Sequence, residues 1–256
     1  MADMTIVNRK LMLAGLFLSK FGKDALSALG FSTWQEAYNS LAFAIGGKPT
    51  SLKMYRQEYD PCFPNGRQGW HGRDIRPTRL ALKEEFENLD LAEFAQLIKT
   101  QFSGSSDVDV AIGRTTIAAG LSCEEESSFA KRMITGRAAE NYFETHYAAE
   151  RKFAGSEIMR TTEFGCGFDF KLTSEGKEFL AVEVKGLRLP TGQIQLTEKE
   201  FKMAAYLKKR FYLYVVSDFA HVPVARVVED PLNSGMSFDS KRVASEQKLW
   251  VAQWAA

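Results

Sequence analysis

Apolar and polar residues recur with two different periods, and the change of period divides the chain in two. In the first half, apolar residues return every three or four positions, which predicts helices. In the second half, short segments alternate between apolar and polar residues, which predicts strands. The pattern predicts helices at residues 8–29, 33–45, 77–87, 90–102, 129–151 and 198–209, and strands at residues 168–172, 179–185 and 211–216.

The last helix and the strand after it indicate the fold class. Thr197 and Glu200 form a capping box, with Thr197 as the N-cap of a helix that leads into an apolar strand. A strand, a helix and a strand in that order favour a right-handed parallel crossover. We therefore predict an α/β fold. A mixed β-sheet flanked by helices is expected over residues 128–256, and a mainly helical N-terminal domain over residues 1–127.

Segments without periodicity are predicted to connect these elements. Residues 103–106 and 123–128 are small, polar or charged, a composition typical of linkers. Residues 51–79 are rich in Gly, Pro, Trp and Arg, which predicts an irregular segment. Residues 185–195 follow the second strand and are expected either to connect it to the next helix or to lie beside the substrate.

Composition narrows the classes of function. Lys and Arg number 33 and Asp and Glu number 32, so a nucleic-acid function must depend on local basic surfaces. The three cysteines are far apart and His71, His146 and His221 are isolated, which disfavours disulfide frameworks and zinc sites. No glycine-rich phosphate motif is present, so we expect no nucleotide cofactor. We also expect a cytoplasmic location and no membrane association.

Three charged residues occupy polar positions of the two alternating strands. Asp169 lies on the first strand, and Glu183 and Lys185 lie two residues apart on the second. A hairpin closed by a three-residue loop, with Gly176 in the left-handed conformation, pairs Thr173 with Lys177. In that register Asp169 lies opposite Ala181, diagonal to Glu183. A two-residue loop would place the carboxylate of Asp169 on the apolar face, where burial without a partner is costly.

Two converging carboxylates are ligands suited to Mg²⁺, which readily takes a phosphate oxygen as a further ligand. We predict that Asp169 and Glu183 hold the metal, with the carbonyl oxygen of Val184 as an additional ligand. Lys185 would orient the attacking water and offset charge on the phosphorus. The alternative is a solvated sheet face, where alternating opposite charges are common.

Further motifs surround these residues in a fixed order. They are Gly136-Arg137-Ala138-Ala139-Glu140 on a helix, Gly167-Phe168-Asp169-Phe170, Val182-Glu183-Val184-Lys185, and then Leu196-Thr197-x-x-Glu200 and Ala204 before an aromatic strand. Over residues 135–216 this order resembles the PD-(D/E)XK nuclease superfamily with its restriction-endonuclease-like core. The most similar pattern is the NO VEIN C-terminal-type domain, which also occurs in bacterial restriction proteins. Phe168 stands where the superfamily often has proline.

The resemblance implies a metal-dependent nuclease. Asp169 and Glu183 would hold Mg²⁺, for which Mn²⁺ can substitute, and Lys185 would be the catalytic lysine. Glu140 would approach the metal from the leading helix, and Glu144, one helical turn further on, is the alternative for that role. The implied partner is double-stranded DNA, and a homodimer is left open.

Basic and aromatic residues between positions 53 and 79 form the main candidate for a DNA-contacting surface, because arginine binds phosphates and guanine and aromatic rings stack on bases. The alternative is an irregular segment with core aromatics and ordinary surface charge. The candidates are Lys53, Arg56, Arg67, Trp70, Arg73, Arg76 and Arg79, and, after the catalytic strand, Arg188, Gln193 and Gln195.

Three functions are compatible with these residues. The leading hypothesis is a sequence-specific, Mg²⁺-dependent endonuclease of the type II restriction kind that cuts double-stranded DNA. The second is a non-catalytic DNA-binding or assembly module that keeps the nuclease fold. The third is a structure-specific repair nuclease, which would cut flaps or junctions irrespective of sequence.

Overall fold

The computed structural model describes residues 4–70, 72–102, 123–243 and 247–255. They fall in two compact units, the first reaching Ala138 and the second starting at Ala139. The proposed linker at residues 103–106 and the histidine at position 71 lie outside the described residues. No helix in these ranges is long and apolar enough to cross a membrane.

The first unit is helical, as predicted. Its central helix is the apolar α1, in which Leu16, Phe17 and Leu18 are fully buried. Gly15 allows α4 to approach α1, since a Cβ at this position would lie 2.8 Å from the Tyr55 Cβ. The helices are α1 (Met4–Phe21), α2 (Lys23–Ala28), α3 (Trp34–Ile45), α4 (Pro49–Tyr59), α5 (Pro77–Phe86), α6 (Leu91–Thr100) and α7 (Cys123–His146), of which α7 continues into the second unit.

Three predictions for this unit were wrong. Gly22, with φ of 60°, ends the predicted helix 8–29 early and separates α1 from α2. Residues 49–59 form α4 instead of an irregular segment; Pro49 pre-sets the helical φ of its first turn. The predicted linker at 123–128 is the start of α7, which packs so closely on Gly30 that a Cβ there would lie 2.4 Å from the Ser127 carbonyl oxygen.

The second unit has the predicted α/β architecture, with a five-stranded mixed sheet in the order β1-β2-β3-β5-β6. β3 and β5 are parallel, as the strand-helix-strand pattern predicts, and the other neighbours in this sheet are antiparallel. A second, antiparallel sheet has the order β4-β8-β7. The elements are β1 (Glu157–Arg160), β2 (Phe170–Thr173), β3 (Leu180–Gly186), β4 (Gly192–Thr197), α8 (Glu198–Leu207), β5 (Phe211–Ser217), β6 (Val224–Glu229), β7 (Asp239–Val243) and β8 (Gln247–Trp254).

Each face of the mixed sheet is covered by apolar side chains. On one face Phe143 of α7 contacts Phe170 and Tyr214, with ring centroids 4.8 and 4.7 Å apart. On the other face, α8 packs against Ala181 and Phe211, and the second sheet packs against the far part of β5. The alternation along β3 therefore directs Ala181, and with it Glu183 and Lys185, toward α8.

The register of the β2–β3 hairpin differs from the prediction by two residues. Phe170 pairs with Val182, so Asp169 does not lie opposite Ala181, which faces Lys171 instead. Gly176 has the predicted left-handed conformation, with φ of 68°, but the connection is longer than three residues. Two residues of this longer connection contact residues outside the two strands. Phe179 stacks on Phe168, and Glu178 forms an ion pair with Arg210. The faces are preserved because the shift is even.

Candidate active site

Asp169 is fixed at the start of β2 by backbone hydrogen bonds on both sides. The N–H of Asp169 donates to the Val182 carbonyl oxygen at 3.0 Å, and the N–H of Thr161 donates to the Asp169 carbonyl oxygen at 2.7 Å. The Asp169 carboxylate accepts a hydrogen bond from the N–H of Val184 at 2.9 Å. The carboxylate is therefore held beside the middle of β3, next to Glu183.

Glu183 and Lys185 form an ion pair on the α8 side of β3. The Lys185 Nζ lies 2.6 Å from the Glu183 Oε1 and 2.8 Å from the Glu200 Oε2. Glu183 is almost completely buried, and Lys185 is partly exposed. The ammonium thus lies between two carboxylates that come from different elements of the fold.

Glu200 is a site residue that the sequence analysis used as a helix cap and as part of the family motif, without a role beside Lys185. The capping box that it forms with Thr197 is present, as predicted, and Glu200 additionally accepts a hydrogen bond from Lys185. Because the cap begins α8 directly beside β3, one carboxylate oxygen serves both the helix end and the lysine. A glutamate three positions after an N-cap gave no sequence signal that distinguished these two roles.

Burial and mutual repulsion raise the proton affinity of the carboxylates at this site. Burial, followed by the charge of Glu140, raises the pKa of Asp169 to about 8. Burial and the charges of Asp169 and Glu200 raise the pKa of Glu183 well above its ordinary range, against the opposing effect of Lys185. The site thus disfavours negative charge on Asp169 and Glu183, in spite of the nearby Lys185 ammonium.

Lys185 and Glu200 shift in the directions that keep both of them charged. Burial opposes the charge of Lys185, but Glu183 and Glu200 outweigh it and hold the lysine pKa well above its ordinary value. For Glu200, burial is likewise outweighed by Lys185, which lowers the glutamate pKa. Lys185 is therefore a cation at neutral pH.

The two candidate carboxylates of α7 share one cation, Arg160 of β1. The Nη1 atom of Arg160 binds the carboxylate of Glu140. The Nη2 atom of Arg160 lies 2.6 Å from the Glu144 Oε2 and 3.0 Å from the Asn141 Oδ1. Glu140 is buried and its charge acts on Asp169, whereas the Glu144 side chain is 47% exposed. Glu140 is thus the helix carboxylate that lies toward Asp169.

The donor set fits a hard divalent cation. Mg²⁺ needs only one or two protein carboxylates, because water and phosphate oxygens complete its coordination. Asp169 and Glu183 supply two, and a cation between them would relieve the repulsion that raises their pKa values. Within the described part of the chain no three His, Cys, Asp or Glu side chains are grouped as a complete metal site. The metal would therefore depend on substrate and water oxygens.

Comparison with known proteins gives one family match, which spans all of these residues. Residues 139–228 match the family described as Protein NO VEIN, C-terminal. This domain is linked to PD-(D/E)XK-like nucleases, so the predicted resemblance is confirmed at the level of the domain over about a third of the chain. No curated protein and no solved structure matches.

Several arginines predicted to contact DNA make internal ion pairs in the first unit. Asp60 is fully buried and accepts from Arg67 at 2.8 Å, with Arg56 at 3.2 Å. Buried Glu58 lies 3.3 Å from Arg79 and, less closely, 3.5 Å from Arg76. These bonds give the arginines a structural role, and a contact with DNA stays a prediction for each of them.

Two exposed arginines of this predicted surface lie beside one aromatic ring. The guanidinium groups of Arg73 and Arg76 lie 5.6 and 5.8 Å from the centroid of the Trp70 ring. Arg73, Arg76 and Lys53 are exposed, and Trp70 is partly buried. Of the basic residues predicted to contact DNA in the first unit, Lys53, Arg73 and Arg76 present their charge to solvent.

Gln193 and Gln195 lie on a strand that the sequence reasoning missed. The segment expected to be a loop contains β4, where Ile194 and Leu196 are buried and the two glutamines are exposed. The alternation from Gln193 to Leu196 is a strand signal of period two that could have identified β4. Arg188, in the turn before β4, is partly buried. DNA contact at these positions stays a prediction.

Proposed function

We propose that this protein is a Mg²⁺-dependent endonuclease of the type II restriction kind, which hydrolyses phosphodiester bonds at specific sequences of double-stranded DNA. The observation that carries the proposal is the cluster of Asp169, Glu183 and Lys185, in which burial and carboxylate repulsion raise the pKa of Asp169 to about 8. Such a cluster is costly for a fold to maintain without a function. The nuclease-linked NO VEIN C-terminal match over the same residues supports it.

The roles of the residues follow from their charges. Asp169 and Glu183, with the Val184 carbonyl oxygen, would hold Mg²⁺ or Mn²⁺, and a bound divalent cation supplies charge neutralisation and a more acidic water. Lys185 is fully protonated because its pKa is raised, so it acts as a hydrogen-bond donor to water and phosphate oxygens, not as a base. Glu200 holds the Lys185 ammonium in position.

The test is digestion of plasmid DNA of known sequence in the presence of Mg²⁺. Discrete fragments support a sequence-specific enzyme. Alanine at Asp169, Glu183 or Lys185 should abolish cleavage, whereas Lys202→Ala, which removes an exposed lysine of α8, should leave it intact. Cleavage that survives in Lys185→Ala refutes the catalytic assignment. Circular dichroism of each variant separates loss of chemistry from loss of fold.

A non-catalytic DNA-binding or assembly module is the second candidate. The Lys185 ammonium is already bound by Glu183 and Glu200, and the described residues contain no complete metal site of three side chains, which is compatible with a purely structural ion cluster. This candidate predicts DNA binding without cleavage in either Mg²⁺ or Mn²⁺. Cleavage of flaps or junctions irrespective of sequence would instead support a structure-specific repair nuclease.

A further inference from the structure

The loop between β1 and β2, which leads into Asp169, presents an aromatic ring to solvent. Phe164 is 69% exposed, although phenylalanine is normally among the most buried residues. It ends a single turn of 3₁₀ helix, residues 162–164, and Gly165 follows in the left-handed conformation with φ of 59°. Asp169 ends the same loop, five residues further along the chain.

This loop is rigidly closed at its base. Thr161 is buried; its N–H donates to the carbonyl oxygen of Asp169 at 2.7 Å and its hydroxyl to that of Phe168 at 2.8 Å. Gly167 is packed onto α8, since a Cβ there would lie 2.8 Å from the Met203 Cγ. The backbone at both ends of the turn that carries Phe164 is therefore held, by Asp169 and Phe168 on one side and by α8 on the other.

A cation accompanies the ring. A Cβ on Gly165 would lie 3.3 Å from the Nζ of Lys199, so this exposed lysine lies against the loop one residue after Phe164. Lys199 precedes Glu200, which binds Lys185. An exposed aromatic ring thus lies on the loop that leads to Asp169, and an ammonium from the helix turn that carries Glu200 lies against the same loop.

We infer that Phe164 stacks on a DNA base next to the scissile phosphate and that Lys199 contacts the backbone of the same strand. This inference rests on the proposed nuclease function. A ring offers every base an apolar face, and an ammonium beside it attracts the phosphate, which is the pairing that nucleic-acid-binding surfaces use. In duplex DNA such a contact needs a base that has turned out of the stack. Stacking of one unpaired base on an aromatic side chain contributes ~1–3 kcal/mol, which is about a 5- to 150-fold change in affinity.

The experiment compares Phe164→Ala, Phe164→Trp and a control, Tyr206→Ala, in plasmid-derived duplexes that the wild type cleaves. Tyr206 is 75% exposed and lies in the last turn of α8, away from Glu200. Phe164→Ala should raise KM about 5- to 150-fold with kcat nearly unchanged. Phe164→Trp should restore KM, and Tyr206→Ala should not change it. The melting temperatures should be unaffected, because both rings are exposed.

A series of duplexes with a single abasic site at successive positions around the cut identifies the base. At the stacked position, removal of the base should weaken wild-type binding, and Phe164→Ala should cause no further loss. Equal KM values for Phe164→Ala and the wild type overturn the inference. The inference also fails if Phe164→Ala changes the oligomeric state of the protein and leaves KM unchanged. If the wild type cleaves no DNA, the proposed function fails. Binding of plasmid-derived duplexes in EDTA by the wild type and Phe164→Ala, measured by fluorescence anisotropy, then still decides whether Phe164 contacts DNA.

Discussion

Asparagine at position 169 is expected to stabilise the metal-free protein while it abolishes cleavage. The amide retains an oxygen for the Val184 N–H, which donates to the carboxylate at 2.9 Å, so the local geometry is preserved. The substitution removes only the charge, which the surroundings disfavour, because burial and Glu140 raise the pKa of Asp169 from 3.8 to about 8. Activity and stability should therefore change in opposite directions.

The sign of the pH dependence follows from proton binding. Between pH 3.8 and about 8 the folded protein retains a proton on Asp169 that the unfolded chain releases. The contribution of Asp169 to the free energy of unfolding of the metal-free protein therefore falls as the pH rises through this range and is constant above it. At ~1.4 kcal/mol per pKa unit, this contribution at pH 7 lies at most on the order of 4 kcal/mol below its value at low pH. Relaxation of the buried cluster reduces the loss to about 1–3 kcal/mol.

Thermal unfolding in EDTA, from about pH 5 to about pH 9, measures this difference. Asp169→Asn should melt higher than the wild type above neutral pH, by ~2–4 °C for each kcal/mol, and should show a shallower pH dependence. Mg²⁺ should raise the melting temperature of the wild type only. Glu175→Gln, at an exposed position of the same hairpin, should behave as the wild type. Equal pH slopes for Asp169→Asn and the wild type would refute the reasoning.

Three further substitutions test the surrounding structure. Gly167→Ala places a Cβ 2.8 Å from the Met203 Cγ at a φ of 83° and should lower stability by ~2–4 kcal/mol in urea unfolding; a loss below ~0.5 kcal/mol would show that the loop is not tightly packed. Asp60→Asn leaves Arg56 and Arg67 without a buried counter-charge and should lower the free energy of unfolding by ~2–3 kcal/mol. If no loss is measured, these ion pairs have no structural role. Thr197→Ala removes the N-cap of α8 and should lower the free energy of unfolding by ~1 kcal/mol. Thr197→Ser keeps a capping hydroxyl and should retain most of that stability in the same assay.

The placement of the three charged residues on one face was predictable from the sequence because strand alternation is strict. Asp169, Glu183 and Lys185 were assigned to one face from their spacing, and the structure brings them together on the side of β3 that α8 covers. The two-residue error in register changed which residue faces which but not the face, since side chains alternate with a period of two. The stack of Phe179 on Phe168, which lengthens the connection, is a tertiary contact without a local signal.

The roles of the arginines could not be predicted because they depend on burial. A run of basic and aromatic residues indicates a nucleic-acid surface only if its acids are solvated. Here Asp60 is completely buried and accepts hydrogen bonds from Ser19 and Arg67. Nothing in the spacing of Asp60 distinguishes it from an ordinary turn residue. The sequence therefore overestimated the charge that this segment presents to solvent.

The two buried acid clusters differ in charge balance, and the difference bears on function. In the first unit, buried Asp60 is matched by Arg56 and Arg67, so the cluster is neutral or positive. Among the described residues of the second unit, four carboxylates face two cations: Glu140, Asp169, Glu183 and Glu200 against Arg160 and Lys185. A structural ion cluster is stable when its charges cancel, because each uncompensated buried charge is costly. In the metal-free protein the raised pKa values of Asp169 and Glu183 mean that this imbalance is met by bound protons. The imbalance supports the proposed divalent cation, which would take the place of those protons.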